Sequence, residues 1–118
     1  MSYEIEFYRR PNGRCPFEEF LREVDTRYAH LSPRIVHGLR LLKDYGPEVT
    51  EPHVKSMGGG LYELRSKADV GISRAFYFFF SGDKIVMLNG FIKKTQKTPA
   101  GELEKARRYK KEYEAEHG

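Results

Sequence analysis

The sequence predicts an α+β domain with the element order β-α-α-β-β-β-α and a mainly antiparallel sheet. Three observations support this fold class. Residues 3–8 alternate apolar and acidic side chains, residues 16–46 carry two apolar stripes at helical spacing, and three strand-like runs lie within residues 61–92. Strands joined by short turns pair antiparallel, because a crossover needs a longer connection. A chain of 118 residues is long enough for one core, so residues 1–118 are predicted to form a single domain.

The first strand and the first helix are separated by a turn. Tyr3 to Tyr8 has the period of a half-buried strand, and Pro11-Asn12-Gly13 breaks it. Pro16 suits the first helical turn, where the missing N–H costs nothing. The helix that follows has one apolar stripe, formed by Phe17, Phe20, Leu21, Val24 and Tyr28.

A second helix is predicted to begin at Ser32-Pro33, with Ser32 as the N-cap. Leu31 and Val36 are spaced as a hydrophobic staple across that cap. Gly46-Pro47 ends the helix, since glycine favours a helix terminus and proline cannot continue it. Its buried face comprises Ile35, Leu39 and Leu42. So short a connection predicts that the two helices form an antiparallel hairpin.

The middle of the chain predicts a long loop followed by three strands. Gly46 to Gly60 is rich in glycine and proline and is predicted to be a loop. The strands are predicted at Leu61–Ser66, Ile72–Phe80 and Lys84–Ile92. Ser81–Asp83 is a tight hairpin connection between the last two.

The last helix is predicted from Pro99 to Glu114, with Thr98 at its start and a weak apolar face. That face comprises Leu103, Ala106, Tyr109 and Tyr113. Residues 84–111 contain nine lysines or arginines and two glutamates, although the whole chain has a formal charge of only +4. A basic segment on a slightly acidic body indicates a surface for phosphate backbones. Together with the weak apolar face of the last helix, it is expected to leave a cationic, partly aromatic surface uncovered in the free protein.

Other features restrict the class of protein. One cysteine, Cys15, forms no internal disulfide and is typical of a reducing compartment. No apolar run approaches the roughly 20 residues that a membrane span needs, and the N-terminus does not read as a signal peptide. We therefore predict a cytoplasmic protein that does not bind membranes. The histidines have no paired spacing, so we expect neither a metal nor a cofactor; they are His30, His37, His53 and His117.

The candidate functional residues are cations at the ends of strands. Arg65 ends one predicted strand and Arg74 begins the next, so an antiparallel hairpin makes them close neighbours. Alternation places Glu63 on the same face as Arg65. Lysines at the end of the following strand return toward this pair: Lys93, Lys94 and Lys97. Alternation leaves open whether Lys93, on the face of Met87 and Phe91, or Lys94 joins the cluster. Either the cations form a phosphate site or they are solvated strand ends.

Such a cluster is chemically sufficient to cleave RNA without a metal. The 2′-hydroxyl of RNA attacks its own adjacent phosphate once a base removes its proton. Cations stabilise the charge that develops on the phosphoryl oxygens, and a donor protonates the departing 5′-oxygen. Arginine suits the first task because its fork grips phosphate in a bidentate manner.

Three runs carry a resemblance to a known family. They are Leu61–Arg65, Arg74–Phe79 and the Gly-Phe-Ile-Lys-Lys-Thr-Gln-Lys-Thr-Pro run at Gly90–Pro99, followed by a helix with Glu102, Ala106 and Arg107. They resemble the phage-derived HigB-like branch of the RelE/ParE toxins, and the resemblance covers essentially the whole chain. It implies the toxin of a bacterial type II toxin–antitoxin pair. RelE-like members cleave mRNA, usually on the ribosome, whereas ParE relatives poison gyrase.

The resemblance also implies roles for individual residues. The catalytic candidates are Arg65, Arg74, Lys93, Lys94 and Glu63. The RNA-binding candidates are Lys55, Lys97, Arg107 and Arg108. Some relatives have a lysine at the position of Glu63, so the identity of the base stays open and Glu63 is one choice.

The favoured function is a metal-independent, ribosome-dependent mRNA endonuclease that inhibits translation and growth. The alternative is a non-enzymatic, ParE-like inhibitor of gyrase or another protein. The implied partners are mRNA, the ribosome and a helix-turn-helix antitoxin, with operator DNA contacted only through the antitoxin complex.

Overall fold

A computed structural model describes residues 2–69, 71–93 and 99–118 of the chain. The strands are β1 Glu4–Phe7, β2 Val54–Gly58, β3 Leu61–Ala68, β4 Gly71–Phe80 and β5 Lys84–Lys93. The helices are α1 Pro16–Arg27, α2 Ser32–Tyr45 and α3 Ala100–His117, with short 3-10 helices at Ala29–Leu31 and Gly46–Glu48.

The five strands form one sheet in the order β1-β5-β4-β3-β2. Only β1 and β5 run parallel; the other three pairs are antiparallel. Side chains of α1 and α2 fill a core on one sheet face, and side chains of α3 fill a second core on the other. The predicted α+β class with a mainly antiparallel sheet is confirmed. No helix within the described residues is both long and apolar enough to cross a membrane.

Strand β2 corrects the prediction of an unbroken loop from Gly46 to Gly60. Only Val54 is buried in this strand, and its register partner is Leu64 on β3. A short edge strand with one buried apolar residue shows little alternation, so the sequence pattern does not reveal it. Pairing with β3 is what orders it. Gly58–Gly60 then turns the chain into β3 with three successive positive φ angles, which only glycine adopts freely.

The start of α2 also differs from the prediction. The 3-10 helix runs directly into α2, so Leu31 is the N-cap in a helical conformation, and Ser32 makes no capping hydrogen bond. The Ser32 hydroxyl donates to Asp25 Oδ1 instead. Leu31 is fully buried whereas Val36 is 47% exposed, so no hydrophobic staple forms. A chain that enters already helical needs no extended cap residue.

Helix α3 packs more firmly than its sequence predicts. Its fully or nearly fully buried side chains are Ala106, Tyr109 and Tyr113. Tyr8 Oη donates to Glu112 Oε1 at 2.7 Å, and Tyr113 Oη donates to Glu6 Oε1 at 3.2 Å. Burial, assisted by the Glu6 carboxylate, raises the pKa of Tyr113 to about 12. The phenol therefore stays protonated as a donor, and the aromatic face predicted to be uncovered is part of the core.

A glycine on β5 lets α1 approach the sheet. A Cβ atom on Gly90 would lie 2.6 Å from ring carbons of Phe20, and the Gly90 φ angle is not positive. We expect Gly90→Ala to lower the free energy of unfolding by about 1–3 kcal/mol, through overpacking alone. Gly101→Ala is the matched control, since nothing lies within 4 Å of its Cβ position. Urea unfolding of both variants checks this, and equal midpoints would show that Phe20 moves aside without cost.

Candidate phosphate-binding site

Arg65 and Arg74 lie directly opposite each other on neighbouring strands. They are register partners on β3 and β4, as the predicted hairpin requires. The side chain of Arg74 is 10% exposed and that of Arg65 is 28% exposed. Like charges at directly opposed positions destabilise a sheet. The pair therefore needs a compensating group.

Glu63 supplies that compensation from a buried position. A single oxygen, Oε1, accepts from Arg74 Nη1 at 2.7 Å and from Arg65 Nε at 3.1 Å. The carboxylate is 1% exposed, so water does not screen these ion pairs as it screens surface pairs. Because one oxygen holds both guanidinium groups, Glu63 fixes their separation and their orientation.

The register places further residues on the same face of the sheet. Glu63 pairs with Lys55 on β2 and with Phe76 on β4, and Arg74 pairs with Phe91 on β5. Phe76 and Phe91 belong to the core beneath α3, so the arginine pair lies on the α3 face. Lys55 is exposed on the outer strand of this group. A cationic row thus extends from the edge strand toward the centre of the sheet.

Lys93 lies on the other side of the arginine pair. It pairs with Ile72, two residues along β4 from Arg74, and is partly exposed. An irregularity in the β4–β5 register separates Tyr77↔Met87 from Ala75↔Gly90. Met87 consequently packs in the α1–α2 core while Phe91 packs in the α3 core. The prediction that Met87 and Phe91 share one face was wrong. The irregularity places one extra residue on β5, and side chains beyond it therefore point to the opposite face from the one that simple alternation predicts.

The two arginines also line a cavity of about 600 Å³ at one corner of the sheet. The cavity is bounded by the first turns of α2, by the segment that enters β2 and by the ends of β3 and β4. His37 and His53 both line it, and both are exposed. His53 is a neighbour of Arg65, whose backbone N–H donates to the His53 carbonyl at 2.8 Å.

Sequence reasoning missed His53 because β2 itself was missed. Had Val54–Gly58 been read as a strand, pairing with β3 would have placed His53 beside Arg65 and Lys55 beside Glu63. The only local signal was Val54 between two polar residues. The contact is decided by pairing between segments that are separated by a turn.

Arg74 retains unused hydrogen-bonding capacity. Its Nε atom is buried and has no hydrogen-bond partner among the residues that the structure describes. A buried donor without a partner is costly and is rare in native proteins. Glu63 engages Nη1, and Nε is closed off from solvent.

The remaining predicted residues divide into three groups. Arg107 donates to the carbonyl oxygens of Met57 and Gly58, which ties α3 to the end of β2. The guanidinium group of Arg108 lies over the ring of Tyr109. Arg108 also lines a second cavity, whose walls include residues of α1. Lys94 and Lys97 lie outside the described residues. The structure therefore brings together Lys55, Glu63, Arg65, Arg74 and Lys93, whereas Arg107 and Arg108 make other contacts from α3.

Within the described ranges, no three histidine, cysteine, aspartate or glutamate side chains are grouped so that they could hold a metal ion.

Comparison with known families gives one match. The family described as "Phage derived protein Gp49-like (DUF891)" matches residues 19–111. The matched segment contains most of α1, all of α2 and strands β2 to β5, and it therefore includes the whole arginine–glutamate cluster. No curated protein matches the chain.

Proposed function

The chain belongs to the phage-derived Gp49-like family, a RelE-like toxin family of toxin–antitoxin systems, and from that premise we propose that it is a metal-independent mRNA endonuclease. The observation that carries the proposal is the buried Glu63 carboxylate, which holds Arg65 and Arg74 side by side. A protein that merely presents a basic surface does not need such a device. An enzyme that must align a phosphate does, because positioning supplies much of the rate in phosphoryl transfer.

The arginine pair is the phosphate clamp in this proposal. The guanidinium groups of Arg65 and Arg74 come from adjacent strands, and the backbones of adjacent strands in a sheet lie about 4.8 Å apart. Two fixed guanidinium groups contact the non-bridging oxygens and stabilise the charge that builds up as the 2′-oxygen attacks. Donors that are already oriented stabilise this charge without reorganisation at the moment of reaction.

Glu63 is a positioning residue in this proposal rather than the base. Its side chain is 1% exposed, and its Oε1 is already engaged by two guanidinium groups. A general base has to come within hydrogen-bonding distance of the proton that it removes. Burial beneath the arginines keeps the carboxylate away from a substrate hydroxyl.

Proton transfer is assigned to residues on either side of the clamp. His53 lies beyond Arg65 and Lys93 lies beyond Arg74, so the two flank the arginine pair. In-line displacement places the entering and leaving oxygens on opposite sides of phosphorus. His53 accepts the 2′-hydroxyl proton as the bond from O2′ to phosphorus forms. Lys93 donates a proton to O5′ as the bond from phosphorus to O5′ breaks.

Product analysis tests the proposal. Cleavage of ribosome-bound mRNA is expected to leave 2′,3′-cyclic phosphate or 3′-phosphate ends, because the nucleophile belongs to the substrate. Activity is expected to survive treatment of the protein with a chelator, once the magnesium that ribosomes require is restored. Fragment ends are read by their reactivity toward ligases and phosphatases.

Two results would count against this mechanism. Products with 3′-hydroxyl ends would indicate attack by an activated water. Growth arrest with intact mRNA would favour the alternative, a non-enzymatic inhibitor of gyrase or another protein. Mapping of RNA 5′ ends after expression in cells distinguishes these outcomes from the expected one.

The proposal extends to partners. A toxin of such a pair requires an antitoxin, for which we propose a helix-turn-helix protein that covers part of the cationic face. We further propose that the ribosome presents the mRNA. Association with either partner is expected to be fast and sensitive to salt, since opposite charges steer the encounter.

A further inference from the structure

We propose that the corner cavity is a nucleotide subsite, which holds the phosphate and the unpaired base adjacent to the scissile phosphate. This inference rests on the proposed function and adds a second binding site on the RNA, so that the protein contacts at least two consecutive phosphates. The cavity has a volume of about 600 Å³, which exceeds what one phosphate group would occupy.

The charges that line the cavity have one sign. Arg34 projects from α2, Lys67 lies near the end of β3, and Arg65 and Arg74 form the boundary with the clamp. None of the described residues that line the cavity is aspartate or glutamate. In the second cavity of the molecule, by contrast, Glu19, Glu23 and Glu102 stand among the basic residues. A lining without acids favours an anion, because no carboxylate competes for the cations or repels the ligand.

Arg65 and Arg74 connect the cavity to the clamp. Both arginines line the cavity, and both are bound by the Glu63 carboxylate. A phosphate held by the arginine pair therefore lies at the boundary of the cavity, and the next phosphate of the same strand can enter it.

The cavity also has apolar walls. Pro33 and Pro52 face it from the start of α2 and from the segment before β2, and Ile72 faces it from β4. Surfaces of this kind accept the face of a base or a ribose, whereas a cavity for a free phosphate ion needs no apolar wall. Single-stranded RNA presents unstacked bases that can enter such a space, and a duplex does not. The combination of basic groups and apolar walls thus matches a nucleotide.

The experiment compares binding of two uncleavable probes, the thymidine dinucleotide with one phosphate and the trinucleotide with two. The wild-type protein is expected to bind the trinucleotide about tenfold more tightly, as one added charged contact is worth roughly that factor. Arg34→Glu is expected to remove this gain and to leave dinucleotide binding nearly unchanged. Calorimetry or fluorescence anisotropy measures each affinity.

Arg40→Glu is the matched control, because Arg40 is also an exposed arginine on α2 and does not line the cavity. Both reversals change the net charge equally, so only a local site distinguishes them. If Arg34→Glu folds poorly, the same comparison is made with two exposed lysines. Lys67→Glu is then the cavity variant and Lys43→Glu is its control. The slope of log affinity against log salt is expected to fall by about 0.7 in the cavity variants only, which is the loss of one phosphate contact.

The outcomes separate this inference from the function on which it rests. Equal trinucleotide binding by Arg34→Glu and Arg40→Glu would overturn the subsite, even if mRNA is cleaved as proposed. The subsite would also be overturned if an acidic tripeptide, used in place of the trinucleotide, showed the same gain in affinity over the dinucleotide. Loss of the gain in Arg34→Glu alone would support the subsite, even if the protein cleaves no RNA and the proposed function fails.

Discussion

Replacement of Arg74 by alanine is expected to abolish growth arrest and to reduce the rate of RNA cleavage by about 100- to 1000-fold, the usual cost of a lost transition-state donor. Arg74 is the more buried of the two clamp residues, and its Nη1 is held at 2.7 Å by Glu63. Water filling the vacated space would not reproduce a fixed, charged donor. The measurement is single-turnover cleavage of a defined mRNA, with growth after induction as a second readout.

Two further variants separate chemistry from folding. Arg40→Ala removes an exposed arginine from α2 and is expected to leave cleavage unchanged. Arg74→Lys keeps the charge next to Glu63 but lacks the planar fork, so it is expected to fold and yet to cleave poorly. A folded Arg74→Ala protein with undiminished toxicity would remove Arg74 from the mechanism.

Replacement of Glu63 by alanine is expected to lower the free energy of unfolding by about 3–5 kcal/mol, because it leaves buried charge uncompensated. Arg65 and Arg74 would then oppose each other across β3 and β4 without the oxygen that now binds both. Chemical denaturation of the variant measures this loss. Glu18→Ala is the control, since Glu18 forms only surface ion pairs, and a change within about 0.5 kcal/mol is expected.

A double variant distinguishes stability from function. Replacing both members of a buried ion pair by apolar residues of similar size is often neutral or stabilising. Glu63→Met with Arg74→Met is therefore expected to recover most of the lost stability while remaining inactive in RNA cleavage. If Glu63→Ala alone unfolds no more easily than the wild-type protein, the carboxylate is not the clamp's support. If the double variant cleaves RNA normally, the cluster has no part in catalysis.

The positions of the two arginines illustrate what local sequence determines. Arg65 closes one apolar run and Arg74 opens the next, and an antiparallel hairpin brings such ends close together. Their proximity was therefore predictable from pattern and turn length. The role of Glu63 was not, because alternation shows that it shares a face with Arg65 but not that it is buried. Burial depends on neighbours that β2 and β4 place on either side of it.

The C-terminal helix shows the same division. Its amphipathic pattern predicted the helix within a few residues of the observed Ala100–His117. Its tyrosines were read as a weak, uncovered face because their partners lie far away in the chain. Tyr8 and Glu6 on or beside β1 complete hydrogen bonds across more than 100 residues. No local pattern reports a contact of that range.

By itself the sequence determined the types and order of the elements it revealed, the cations at the strand ends and the excess of basic charge in the last third of the chain. These properties follow from periodicity, turn chemistry and composition, which act over a few residues. The tertiary structure alone decided that β2 exists, that His53 lies beside Arg65 and that His37 lines the same cavity. It also decided that Glu63 is enclosed beneath the clamp. Each of these depends on pairing or packing between distant segments, whose free energy appears only when the sheet and its helices come together.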